Sequence, residues 1–140
     1  NYGLILGWTS INTEINLIPL IFYFGAIFWT LAYDTIYGFQ DIKDDEIIGV
    51  KSTSIKFKKN PKTFISLCYL TFLMSILLIG KLMSFNIFYF VLSIIILFHL
   101  MAYQLMNLNI KDATSCLKKF RSNNFFGLLV FVTILFGKIF

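Results

Sequence analysis

"LIPLIFYFGAIFWTLAY", residues 17–33, carries no charge, and "DTIYGFQDIKDDE", residues 34–46, follows it at once. The first stretch decides the fold. A helix crossing a hydrocarbon core of ~30 Å needs about 20 predominantly apolar residues, and this run with its immediate flanks has that length. The second stretch poses the functional question. It holds Asp34, Asp41, Asp44, Asp45 and Glu46, five of the 7 acidic residues in a chain of net charge +5.

Working outward, the rest of the chain has the same character. It is 58% hydrophobic and only 14% charged, with a mean hydropathy of +0.79. A soluble domain has roughly 25% charged residues, so a globule in water is excluded. Four segments approach spanning length: 15–36, 64–80, 85–106 and 123–137. A fifth, "NYGLILGW", reads as the tail of a helix already under way at residue 1. The expected fold is all-α, a polytopic transmembrane helix bundle of about four complete spans plus part of a fifth. No initiator Met, basic n-region or small-residue cleavage site marks a signal peptide, so the chain reads as part of a longer protein. Cys68 lies within a span and Cys116 is expected in a polar loop, a spacing that offers neither a disulfide framework nor a metal site. His99, alone in a span, is expected to be a packed or hydrogen-bonded helix residue, although ionisable groups in membranes are rare enough to flag.

Orientation follows from the basic residues. The 38–63 connection holds Lys43, Lys51, Lys56, Lys58, Lys59 and Lys62, and the 107–122 connection holds Lys111, Lys118, Lys119 and Arg121. Lys81 and Lys138 stand alone at the other end. The positive-inside rule puts both long connections on the cytoplasmic side. The lysines of "KFKKNPK" read as a juxtamembrane anchor to anionic lipid. Nothing suggests nucleic-acid binding, because the basic residues lie beside the membrane and not on a soluble domain.

Continued as one helix at about 100° per residue, the acidic stretch places Asp34, Tyr37, Asp41 and Asp45 within about 80° of arc, with Lys43 opposite. Like charges one turn apart destabilise a helix by a few tenths of a kcal/mol, so a face that repeats them implies a cation to hold. Carboxylates are hard ligands that suit Mg²⁺ or Ca²⁺, and Mg²⁺ is usually held by one or two of them plus substrate phosphates. Asp41 and Asp45 are the expected metal pair, about 6 Å apart in helix rise. Asp34 lies deeper, which makes its charge the costliest of the set and a functional candidate. The competing reading is a solvated acidic cap that offsets the neighbouring lysines.

The longer string "AYDTIYGFQDIKDDEIIGVKSTSIKF", with "CLKKFRSNNFFGLLVF" near the end, resembles the UbiA-type intramembrane prenyltransferases. Within them it most resembles the branch that acts on 4-hydroxybenzoate in ubiquinone synthesis. The match runs through Tyr33, Asp34, Thr35, Tyr37, Asp41, Asp44, Asp45, Gly49, Lys51, Ser52 and Thr53, then Asn123, Asn124 and Gly127. The resemblance implies a bundle of about nine helices with an aspartate-rich motif in each half. The first motif, of the N-D-x-x-D-x-x-x-D kind, is absent here. Residues 1–140 are therefore expected to be the C-terminal half of the enzyme domain, inactive without the N-terminal half.

What the resemblance implies can be stated residue by residue. Polyprenyl diphosphate and 4-hydroxybenzoate are the expected substrates and Mg²⁺ the cofactor, with Asp41 and Asp45 as metal ligands. Asp34, Asp41 and Asp45 form the catalytic set, and Tyr37 and Lys51 are candidate substrate contacts, Lys51 toward the diphosphate. The location implied is the bacterial inner membrane, or the mitochondrial inner membrane in a eukaryote. Rival readings are a family member with another acceptor, a non-catalytic remnant or assembly partner, and a transporter. A transporter would place its ionisable groups at mid-membrane, whereas these sit at the rim.

Overall fold

The computed structural model describes residues 2–12 and 14–139, whose regular structure is helical without a strand. The elements are α1 (Tyr2–Thr9), α2 (Leu17–Gly38), α3 (Ile42–Ile48), α4 (Thr53–Lys56), α5 (Pro61–Leu82), α6 (Ile87–Phe98), a π-helical continuation of α6 (His99–Met106) and α7 (Ala113–Ile139). Four helical stretches are long and apolar enough to cross a membrane: Leu17–Gly38, Pro61–Leu82, Ile87–Met106 and Ala113–Ile139. The "NYGLILGW" run is helical as α1, apart from Asn1, which lies outside the described residues.

Local chemistry sets the helix starts. Asn16 Oδ1 accepts the amide of Ile18 to open α2, Pro61 occupies the first turn of α5, and Asn86 Oδ1 accepts the amide of Tyr89 to open α6. Side-chain oxygens at these positions satisfy amides that have no partner within the helix. A proline there gives up an N–H that would have been unpaired anyway.

The last span departs from expectation. Helix α7 begins at Ala113, not near residue 123, so much of the 107–122 connection is helix. Asp112 explains the early start: its Oδ1 accepts the Thr114 amide at 2.9 Å and the Thr114 hydroxyl at 2.6 Å. The Thr114 hydroxyl, helped by backbone amides, holds this carboxyl below its ordinary range. From there Cys116, Lys119, Asn123, Phe126, Val130, Thr133 and Gly137 are buried at three- and four-residue intervals, one face of a single long helix. Cys116 is thus buried in the first turns of a helix and not in a polar loop; both cysteines are free.

Helix α2 packs on α5 and α7, while α6 packs on α7 and α5. Between α2 and α5 the contact is made with small groups. A Cβ on Gly25 would lie 2.6 Å from the Ser75 Cβ, and Ala26 and Ala32 are buried along the same helix. In lipid no hydrophobic force drives helices together, and close approach through small residues supplies packing instead. At the end away from the acidic stretch, the Tyr89 ring fills a slot between Gly80 and Gly137, where Cβ atoms would stand 2.4 and 2.8 Å from it. The Tyr89 hydroxyl donates to Ile76 O at 2.8 Å, and Asn86 Nδ2 donates to Phe136 O at 2.8 Å. The residues outside this core, among them Leu67, Met74, Phe88, Ile94, Leu128 and Phe131, are large, apolar and exposed, as a lipid-facing surface requires.

At the opposite end the two long connections meet. Lys62 Nζ donates to Met106 O at 3.1 Å, tying the start of α5 to the end of the π-helical segment. This rim carries the acidic stretch.

Candidate functional site

The acidic stretch is not one continuous helix. Helix α2 ends at Gly38, and the Phe39 and Gln40 amides turn back to Ile36 O and Tyr37 O at 3.3 and 3.0 Å. Asp41 then stands before α3 with its carbonyl accepting the Asp44 and Asp45 amides, each at 3.0 Å. The single face expected for Asp34, Tyr37, Asp41 and Asp45 therefore splits in two. Asp34 and Tyr37 belong to the last turns of α2, and Asp41 and Asp45 to the start of α3.

Two contacts explain the break. Phe39 turns inward and is 3% exposed, which pulls the chain off the helix axis. Gly38 lets α4 come close: a Cβ there would lie 2.1 Å from the Ser54 hydroxyl, and Ser54 is buried. Helix α3 ends on Gly49 at φ +79°, a left-handed conformation that glycine adopts without steric cost. Ser52 Oγ accepts the Ile55 amide to open α4. The Thr35 hydroxyl bonds that of Thr53 at 2.7 Å and Leu31 O at 2.6 Å. The two ends of the recognised string, around Asp34–Thr35 and Lys51–Thr53, are thus joined across the rim by one pair of threonines.

The residues of the string divide sharply by role. Thr35, Gly38, Gly49, Ser52 and Thr53 hold the rim together. Asp34, Asp41 and Lys51 are exposed, Tyr37 is 40% exposed, and Asp45 is half-buried. Among the described residues the one ion pair is Lys58–Glu46, so none of the candidate charges is neutralised by a salt bridge. Asp41 accepts one hydrogen bond, from Gln40 Nε2 at 3.1 Å. The Tyr37 ring lies 4.6 Å from Phe120, with Tyr33 5.7 Å from the same ring, so α7 braces this end of α2.

The donor set suits a hard cation in a limited way. No group of three or more His, Cys, Asp or Glu side chains among the described residues could hold a metal by itself. Asp41 and Asp45, one turn apart, offer two carboxylates. That is the number with which Mg²⁺ is usually gripped when water and substrate phosphate complete its shell. The residues therefore fit Mg²⁺ held jointly with a phosphate, and do not fit a closed protein cage.

A second polar cluster, which no spacing in the sequence marks, lies deeper. Tyr69 donates its hydroxyl hydrogen to Gln104 Oε1. Gln104 Nε2 lies 3.2 Å from His99 Nε2, 3.2 Å from Ser122 Oγ and 3.1 Å from Asn123 Oδ1. Asn123 Oδ1 also accepts from Trp29 Nε1 at 3.0 Å. The cluster joins α2, α5, the π-helical segment and α7. His99 is packed and hydrogen-bonded as the sequence suggests, with its ring 5.6 Å from Phe126. The available signal was a Gln, an Asn and a His within apolar spans. Their mutual contact was not available, because it depends on packing between distant segments.

A sequence model described as "UbiA prenyltransferase family" matches residues 2–133. The chain is 36% identical over 141 residues to a 4-hydroxybenzoate polyprenyltransferase, mitochondrial, of Rattus norvegicus, covering 100% of this chain and 37% of that protein. It is 36% identical to the Homo sapiens protein of the same name, covering 99% of this chain and 38% of that one. It is 38% identical to a 4-hydroxybenzoate octaprenyltransferase of Pasteurella multocida (strain Pm70), covering 96% and 48% respectively. The chain spans less than half the length of each of these relatives. No solved structure matches it.

Proposed function

Because the chain belongs to the UbiA prenyltransferase family, we propose that it serves transfer of a polyprenyl group from polyprenyl diphosphate to 4-hydroxybenzoate. The observation that carries this reading is the division of labour at the rim. Threonine, serine and glycine groups hold α2, α3 and α4 together, while Asp34, Asp41, Asp45 and Lys51 make no ion pair among the described residues. The names of the relatives support the substrates.

On this reading Asp41 and Asp45 hold Mg²⁺ against the diphosphate. When bound, Mg²⁺ supplies neutralisation of the charge that develops on the diphosphate as the allylic C–O bond breaks. Lys51, at the start of α4, adds a cation toward the same phosphates. The new bond forms between the allylic carbon and the ring carbon ortho to the phenol, and the ring proton leaves. Asp34, exposed one turn before Gly38 and without an ion pair among the described residues, is this chain's candidate to receive that proton, and Tyr37 beside it contacts substrate. The first aspartate-rich motif comes from chain outside these 140 residues, so the activity is that of the full-length protein. The rim faces the cytoplasm, or the mitochondrial matrix in a eukaryote, because it carries ten of the twelve basic residues.

The test is a product assay on membranes holding quantified full-length protein at saturating Mg²⁺. Asp41→Ala and Asp45→Ala should each lower prenylation of 4-hydroxybenzoate by at least about a thousandfold, the loss of several kcal/mol of charge stabilisation. Neither side chain makes an ion pair among the described residues, so protein levels should hold. Near-normal turnover in both variants would leave the stretch a solvated cap.

A further inference from the structure

The fold gathers a second charged site at the rim, from residues the prenyl-transfer reading does not use. A cavity of about 670 Å³ lies between the two long connections, and Lys43, Lys58, Lys59 and Lys111 line it. Phe39, Ile42 and Ile110 give it apolar lining, and Gln40 and Glu46 line it as well. Lys43 comes from α3, Lys58 and Lys59 from the turn before α5, and Lys111 from the turn before α7, so three separate parts of the chain converge. Asp34, Asp41, Asp45 and Lys51 take no part in it.

The electrostatics call for an anion. Glu46 pairs with Lys58 alone. Lys43, Lys59 and Lys111 make no ion pair among the described residues, which leaves three positive charges around one cavity. Two other lysines of the rim are engaged differently. Lys62 is bonded to Met106 O, and Lys56 lies 5.5 Å from the Phe57 ring centroid. A diffuse anchor would spread its charge evenly, whereas here three amines from separate parts of the chain converge on one concave site with apolar lining.

We propose that this cavity binds the phosphate of an anionic membrane lipid headgroup. The phosphate would sit among the amines of Lys43, Lys59 and Lys111, with the glycerol and first acyl carbons against Phe39, Ile42 and Ile110. The position favours this source of phosphate, because the cavity lies where the spans leave the membrane. Basic pockets between transmembrane helices take phospholipid headgroups by the same chemistry.

The experiment follows thermal unfolding of the purified protein in neutral detergent during titration with phosphatidylglycerol, phosphatidylcholine or inorganic phosphate. The wild type should be stabilised by phosphatidylglycerol and not by phosphatidylcholine. Replacing Lys43, Lys59 and Lys111 together by Gln should raise the half-effective lipid concentration more than a hundredfold, at about fivefold per lysine. A control lacking the same charge elsewhere on the rim, Lys56→Gln with Lys118→Gln and Arg121→Gln, should shift it far less. The single variant Lys111→Gln, on the other connection, should give the fivefold step by itself. Equal weakening in the control and the pocket variant would overturn the site in favour of a diffuse anchor. Reproduction of the stabilisation by inorganic phosphate at millimolar concentration would overturn the lipid assignment.

Discussion

Ser54 is a residue that no motif would single out, yet Gly38 owes its identity to it. The side chains whose chemistry is readable from sequence are those with nothing to do in the fold: Asp34, Asp41, Asp45 and Lys51 stand out because charge beside a membrane is costly. The residues that position them are plain, and their role appears only with the contact. Gly38→Ala tests this directly. An alanine gains up to ~1 kcal/mol in helix propensity, but its Cβ would have to share space with the buried Ser54 hydroxyl, and overpacking costs about 1–3 kcal/mol. The clash should win. Unfolding in detergent should show Gly38→Ala less stable than wild type, with Ser54→Ala in the same chain restoring part of the loss. Equal stability of Gly38→Ala and wild type would remove Ser54 as the cause of the break in the acidic stretch.

Helices were legible in proportion to how much of their definition is local. The four spans follow from composition, and the structure returns all of them within a few residues except the start of α7, which Asp112 and Thr114 set earlier. Two features were not legible. The break after α2 depends on α4 packing back, and the π-helical turn His99–Met106 depends on a polar cluster whose members lie as far apart as Trp29 and Asn123. The second feature carries a prediction at this scale. A π-helix stacks residues five apart where an α-helix stacks those four apart, and His99 and Gln104 are five apart. Deleting Met101 should let the segment relax to an α-helix while keeping His99 and Gln104 on one face. Thermal unfolding should find that deletion better tolerated than removal of Leu70 from the middle of α5. If both deletions abolish folding alike, the π-helical turn is not a separable insertion.

Across the whole molecule, charge separates the two ends of the bundle: the rim with the acidic stretch and its lysines, and the far end with Lys81 and Lys138. Single cysteines at Lys58, Lys118 and Lys81, probed with an impermeant thiol reagent from each face of sealed vesicles, should label from one side for the first two and from the other for the third. Labelling of all three from one face would overturn the span count as well as the sidedness. The Tyr89 slot adds a mechanical consequence. With its ring seated between Gly80 and Gly137 and Asn86 bonded to Phe136 O, the far ends of α5, α6 and α7 are locked together. Helices clamped at one end can part only at the other, as the arms of a pair of tweezers do, and at the tips hydrogen bonds and, among the described residues, one ion pair resist it. The tips are the rim. Spin labels at Lys58 and Lys118 should therefore report a broader spread of separations than labels at Lys81 and Lys138, and equal spreads would mean that the bundle flexes uniformly and is not clamped at one end.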